Sequence, residues 1–218
     1  MIKFSSDIDL LKWEPVLFRE LALPSQTLCQ GSNGVLNGTI LTSSGASFVS
    51  SGIAAGHVIY LYNCESGPDG CYEVVSVDSA TQLTVSVVRL SADDDAVSPP
   101  SGSEISYRVG TFDPQAEEAA YSLMQYFGIE SDDSETEETN KVLNQRALRQ
   151  AAVFAVLSTV FAASAGGDRD NEGFWKKSLR YQKMFHTARV KARLATDTDG
   201  DNVAEQFHCG GTVRLRRI

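Results

Sequence analysis

The chain has 218 residues, 42% of them hydrophobic and 22% charged, enough apolar material for a real core in one large or two small domains. Its longest apolar stretch, residues 151–165, is shorter than the ~20 residues that span a bilayer. The opening MIKFSSDIDLLKW lacks the apolar core and small-residue cleavage site of a secretory signal.

Residues 5–22 are expected to be helical. Ser5, Ser6 and Asp7 offer N-caps, and Pro15 can open a second helical segment because its missing N–H is unpaired there in any case. Leu10, Leu11, Trp13, Val16, Leu17, Phe18 and Leu21 supply an apolar surface, and Pro24 ends the segment. From about residue 31 to 110 the texture changes to Gly, Ser and Thr with short β-branched runs. Strands are predicted at 35–42, 57–63, 71–78, 81–89 and 104–109, several with period-two alternation, separated by turn residues such as Gly67-Pro68-Asp69-Gly70. Strands of this number and spacing suggest a small antiparallel barrel or sandwich.

After Pro114 the period becomes helical. Ala116, Ala119, Ala120, Leu123, Met124 and Phe127 recur at three- and four-residue steps, and Gly128 can cap the end. Residues 130–138 hold six acids and no large apolar side chain, which reads as a linker. A long helix is expected over 141–165, apolar on nearly every side in its second half, as in a central bundle member or a subunit interface. The last helix is expected to run from Asn171 to about Ala195, with Phe174, Trp175, Leu179, Tyr181, Phe185, Ala188 and Ala192 on its core face and basic residues on the other.

These elements predict an α+β chain. A helical bundle, made of the N-terminal helix plus three C-terminal helices (residues 1–24 and 113–209), carries an inserted small antiparallel β-barrel or sandwich (25–112). An extended tail (210–218) follows. Phe154, Leu157, Phe161, Trp175 and Phe185 are the expected core of the bundle and of its self-association.

Charge is unevenly spread. Residues 174–218 carry ten Lys/Arg against four acids, whereas 1–173 carry nine against 24. That polarity suits stacked or head-to-tail copies, and also a basic helix solvated on its outer face. Cys29, Cys64, Cys71 and Cys209 fit no metal spacing. Cys64 and Cys71 flank a turn and could pair, but reduced thiols suit a cytoplasmic chain.

Recognisable catalytic parts are missing. His57, His186 and His208 have no nucleophile or carboxylate close in sequence, and no nucleophile elbow, phosphate loop or zinc-protease motif occurs. The chain is therefore read as non-enzymatic, with no catalytic residues and no cofactor. One exception is weighed: Asp197, Asp199 and Asp201 mimic positions 1, 3 and 5 of a calcium loop, although Asn202 replaces the glycine and His208 the bidentate glutamate. The competing reading is a polar turn that stops a basic helix. In the tail, Val213, Arg214, Leu215, Arg216, Arg217 and Ile218 follow a glycine pair and alternate apolar with basic. Such a segment can add to a neighbour's sheet edge or fray.

Three stretches resemble head–tail connector (adaptor) proteins of tailed bacteriophages. They are the opening Ser6-Asp-Ile-Asp-Leu-Leu-Lys-Trp-Glu-Pro15, the phrase Phe48-Val-Ser-Ser-Gly-Ile-Ala-Ala-Gly-His-Val-Ile59 with Tyr72-Glu-Val-Val-Ser-Val-Asp78, and the C-terminal helices ending in Asp197-Thr-Asp-Gly-Asp201 with the arginine tail. The resemblance implies a structural virion protein in the particle neck, assembled in the host cytoplasm and not on a membrane. It implies a ring, usually of twelve copies, that docks under the portal protein through the tail at residues 213–218. DNA would pass through its channel without sequence-specific binding, and a downstream tail or head-closure protein would attach below. Acids at 93–95 or 130–138 would then line the channel or lie on the solvated outer surface. Two alternatives stand beside this: another neck component (head closure or tail terminator), and a β-domain that binds carbohydrate or a host surface through Tyr60, Tyr62 and Tyr72.

Overall fold

The computed structural model describes residues 3–63, 67–129, 142–166, 172–197, 203–204 and 206–209. The chain divides into two compact units: Ser6–Phe112, and Met1–Ser5 together with Asp113–Ile218.

The first unit opens with two short helices, α1 (Asp7–Trp13) and α2 (Leu17–Glu20). Ser6 caps α1: its hydroxyl accepts from the Asp9 N–H at 3.3 Å while its own N–H donates to the Asp9 carboxylate at 3.1 Å. A 3₁₀ turn (Pro24–Gln26) leads into six strands: β1 (Thr27–Asn37), β2 (Ile40–Thr42), β3 (Val58–Tyr62), β4 (Asp69–Ser79), β5 (Gln82–Ser86) and β6 (Gly102–Gly110). They close into an antiparallel barrel in the order β1-β2-β5-β4-β3-β6. Closure leaves no exposed edge within the barrel. Inward positions are filled by Leu36, Leu41, Phe48, Ile59, Leu61, Val74, Leu83, Val85, Ile105 and Val109. The buried Tyr107 meets Phe48 edge-on and donates its hydroxyl to Ser43 at 3.1 Å. Gly31 makes room for that ring, since a Cβ there would lie 2.5 Å from the Tyr107 hydroxyl. Outside the barrel, Glu73 and Arg89 form a buried pair at 2.8 Å. The same guanidinium donates to the carbonyls of Ala92 (2.8 Å) and Asp94 (2.7 Å), holding the connection between β5 and β6.

The second unit contains α3 (Asp113–Phe127), α4 (Arg146–Ala165), α5 (Glu172–Lys191) and a two-stranded antiparallel sheet of β7 (Arg193–Thr196) and β8 (Gln206–Cys209). α4 packs on both α3 and α5. Among the described residues it is the one helix long and apolar enough to cross a membrane. Here its apolar side chains from Leu148 to Phe161 are buried in the manner of a core helix. Phe4 enters this core beside Leu123, Met124 and Leu148, and Lys3 pairs with Asp113 at 2.7 Å.

The expected four-helix bundle does not form. The N-terminal segment breaks into α1 and α2 around Pro15, and both lie on the barrel, α1 against β3 and α2 against β3 and β4. Two backbone ties fix them there. The Phe112 N–H donates to Asp7 at 2.9 Å, and Arg108 donates to the Phe18 carbonyl at 2.7 Å. The helical unit therefore keeps three long helices and gains a sheet. Other boundaries also move. The strand predicted at 35–42 is a hairpin that turns at Gly38 (φ 61°), preceded by eight further residues of β1. The last helix stops at Lys191, and Arg193–Thr196 pairs with Gln206–Cys209, so the acidic segment between them connects two strands.

Cys29, Cys71 and Cys209 are thiols, and Cys64 lies outside the described residues. Burial pushes the Cys71 thiol up to about 11. Roughly one part in a thousand is then thiolate at pH 8, and the thiolate is the reactive form. Alkylation at pH 8 followed by peptide mass mapping is expected to label the exposed Cys209 well before Cys71. Labelling of Cys71 should accelerate steeply up to pH 11.

Candidate functional site

In the helical unit, α5 carries three exposed large apolar side chains and a set of basic ones. Toward α4 this helix presents Phe174, Ser178 and Tyr181. Phe161 of α4 stacks on Phe174 (5.8 Å) and on Tyr181 (5.9 Å), and Phe154 lies 6.0 Å from Tyr181. Ser158 and Ser178 bond reciprocally to each other's backbone, Ser178 Oγ to the Ser158 carbonyl at 2.9 Å and Ser158 Oγ to the Ser178 carbonyl at 3.3 Å. These ties fix the rotation of α5 about its own axis.

With that rotation set, a second apolar row faces outward. Trp175 is 50% exposed, Leu179 46% and Val190 59%. Gln182 and His186, also exposed, sit in the same row at steps of three and four. Further round the helix, Lys176, Arg180, Lys183 and Lys191 form a basic row. Lys176 pairs with Glu172 at 2.8 Å, an exposed contact worth little. Among the described residues Arg180, Lys183 and Lys191 have no ion-pair partner. A groove of about 440 Å³ runs beside the apolar row between α3, α4 and α5, lined by Glu118, Ser122, Ser158, Gln182 and His186 among others. On α3, Glu118 and Tyr121 are exposed, Tyr121 by 48%.

Of the five residues expected to form the bundle core, Phe154, Leu157 and Phe161 are buried and Phe185 is partly buried. Trp175 is on the outer row, and Leu179, also expected in the core, accompanies it. The period-3.6 pattern of α5 holds two apolar arcs, and sequence reading merged them. A wheel drawn on Ser178 and Tyr181 separates them.

Asp197 is buried at the end of β7. Asp199 and Asp201 lie outside the described residues, as do residues 130–138 and the tail from Val213 to Ile218. Among the described residues no cluster of His, Cys, Asp or Glu could hold a metal ion.

On the barrel, the structure brings Tyr60 and Tyr62 to one outer face, whereas Tyr72 packs against the barrel core. Tyr60 donates to Asp69 at 3.1 Å, with Arg19 and Arg108 over its ring at 6.0 and 5.6 Å. Desolvation, with the Asp69 hydrogen bond, raises the pKa of its hydroxyl. Arg108 and Gln30 belong to this face and were not legible as site residues, because only the register of β1, β6 and β3 sets them beside Tyr60.

No family model, curated protein or solved structure matches this chain.

Proposed function

We propose that the chain is a structural, non-enzymatic subunit of the neck of a tailed bacteriophage. In this reading it is an adaptor that forms a ring under the portal, extends the DNA channel and gives the tail its platform. The observation that carries the proposal is the outward apolar row Trp175–Leu179–Val190 on a helix whose other side is already buried. Covering the exposed half of each such side chain contributes about 1 kcal/mol, and three on one helix face, with Gln182 and His186 between Leu179 and Val190 and positive charge beside them, form an association surface.

A closed ring needs a heterologous contact, in which one surface meets a different one on the next copy. The helical unit supplies both kinds: apolar and basic on α5, acidic with an exposed tyrosine on α3. The order of parts, with a barrel inserted into a helical unit, fits the adaptor phrasing of the sequence. The tail at residues 213–218 would dock on the portal, and a head-closure or tail protein would bind below. The chain's net charge of −9 lets DNA slide past without adhering.

Mass photometry and negative-stain microscopy of the purified chain, alone and with a portal protein, test this. A closed ring is expected, together with portal binding that disappears when residues 210–218 are deleted. A strict monomer that ignores the portal overturns the reading.

A further inference from the structure

A second surface, on the barrel, has the features of a small-ligand site. Strands β1, β6 and β3 run side by side, with Gln30 opposite Arg108 opposite Tyr60, and Ser106 opposite Tyr62. Alternation along each strand turns all of these outward. With Ser32 they surround an open groove of about 460 Å³. At its floor is Tyr107, which the absence of a side chain at Gly31 allows to approach the strand surface.

The groups in this groove divide into two kinds. Tyr60 and Arg108, with Arg19 beside the groove over the Tyr60 ring, are already committed. Tyr60 bonds to Asp69, Arg19 pairs with Asp69 at 3.2 Å, and Arg108 donates to the Phe18 and Arg19 carbonyls at 2.7 and 3.2 Å. They form a rigid wall that loses little entropy when a ligand arrives. The others are uncommitted. Among the described residues the side chains of Gln30, Ser32, Ser106 and Tyr62 make no hydrogen bond, and Tyr62 is 42% exposed. An open aromatic ring flanked by neutral donors and acceptors matches a ligand with one apolar face and a rim of hydroxyls.

Charge decides between ligand classes. The barrel unit, Ser6–Phe112, holds four Lys/Arg against twelve Asp/Glu, and both arginines of the face are paired or bonded to backbone. Phosphate, nucleic acid and acidic sugars are repelled by such a field.

We propose that the β1–β6–β3 face binds a neutral pyranose unit of an oligosaccharide. The sugar's C–H face lies on the Tyr62 ring, and its hydroxyls bond to Gln30, Ser32 and Ser106. The proposal is independent of ring formation, because every residue it uses is on the barrel.

The test uses the full chain on an array of neutral, acidic and phosphorylated glycans, with maltoheptaose, cellopentaose and chitopentaose then titrated in solution by ligand-observed NMR. Binding to at least one neutral oligosaccharide and to none of the phosphorylated ones is expected. Tyr62→Ala should weaken it at least tenfold, and Ser106→Trp, which fills the groove from an exposed position, should abolish it. Neither residue is buried, so thermal melting should stay at the wild-type value. Absence of any neutral glycan binding at 10 mM (an approximate ceiling for a single-sugar site), or binding unchanged by both substitutions, overturns the proposal. Selective binding of acidic or phosphorylated glycans overturns it as well.

Discussion

Replacing Trp175 and Leu179 together with aspartate is expected to convert the proposed ring to a monomer while its two units stay folded. Both residues are about half exposed, so the substitutions leave the core of the helical unit filled. In an assembly they place two carboxylates in a desolvated apolar contact, where an unpaired charge costs several kcal/mol per copy. That cost recurs at every interface of a ring, so the ring should vanish rather than shrink. Mass photometry at micromolar concentration reads the outcome, with circular dichroism as the check on folding. Charge reversal across the contact tests whether the basic row of α5 meets α3 of the neighbouring copy. Arg180→Glu or Lys183→Glu should weaken assembly, and Glu118→Lys on the same chain should restore part of it. A ring that survives the double aspartate variant would place the contact elsewhere.

The second large effect is expected inside the barrel unit. Glu73→Gln should destabilise the barrel by about 3–5 kcal/mol, the usual consequence of removing one partner from a buried ion pair. The geometry explains the size. Arg89 approaches Glu73 at 2.8 Å through Nη2 and at 3.4 Å through Nε, and the backbone N–H of Arg89 donates to the same carboxylate at 3.3 Å. Without the carboxylate charge, a guanidinium whose side chain is only 9% exposed keeps just its carbonyl partners. A double variant, Glu73→Leu with Arg89→Met, should recover much of the loss, because well-packed apolar side chains commonly match or exceed a buried ion pair. Urea unfolding, read from the barrel's own transition, measures both. A single-variant loss below 1 kcal/mol would mean that water reaches the pair in solution.

The barrel was legible from the period-two alternation of residues 81–89 and 104–109 and from the turn chemistry at 67–70 and 78–81 that separates the runs. It was less legible at β1, where Gly31, Ser32, Asn33 and Gly34 have low strand propensity. That segment is held in the sheet by its pairing with β6, whose register is irregular there. The placement of the N-terminal helices was misread for a related reason. Their leucines announce burial, but nothing local says against what. The answer rests on two long-range hydrogen bonds, from the Phe112 N–H to Asp7 and from Arg108 to Phe18. β7 was missed because Arg193, Leu194 and Ala195 are good helix formers. Pairing with β8 and the bridge from Val142 to Thr196 override that preference. The outward row on α5 was present in the sequence as apolar residues. Its assignment to the core failed because composition cannot say which of two apolar arcs faces α4.

Lys3 and Asp113, bonded at 2.7 Å, hold together the two points where the chain leaves and rejoins the helical unit. The compact unit Ser6–Phe112 begins and ends at that gate. For the helical unit, an excursion of any length through such a gate amounts to one surface loop, and its closure entropy grows only with the logarithm of its length. Selection can therefore exchange, enlarge or lose the barrel as a cassette while the fold around α4 remains under separate constraint. The barrel and the helical unit of this chain are therefore free to change at different rates.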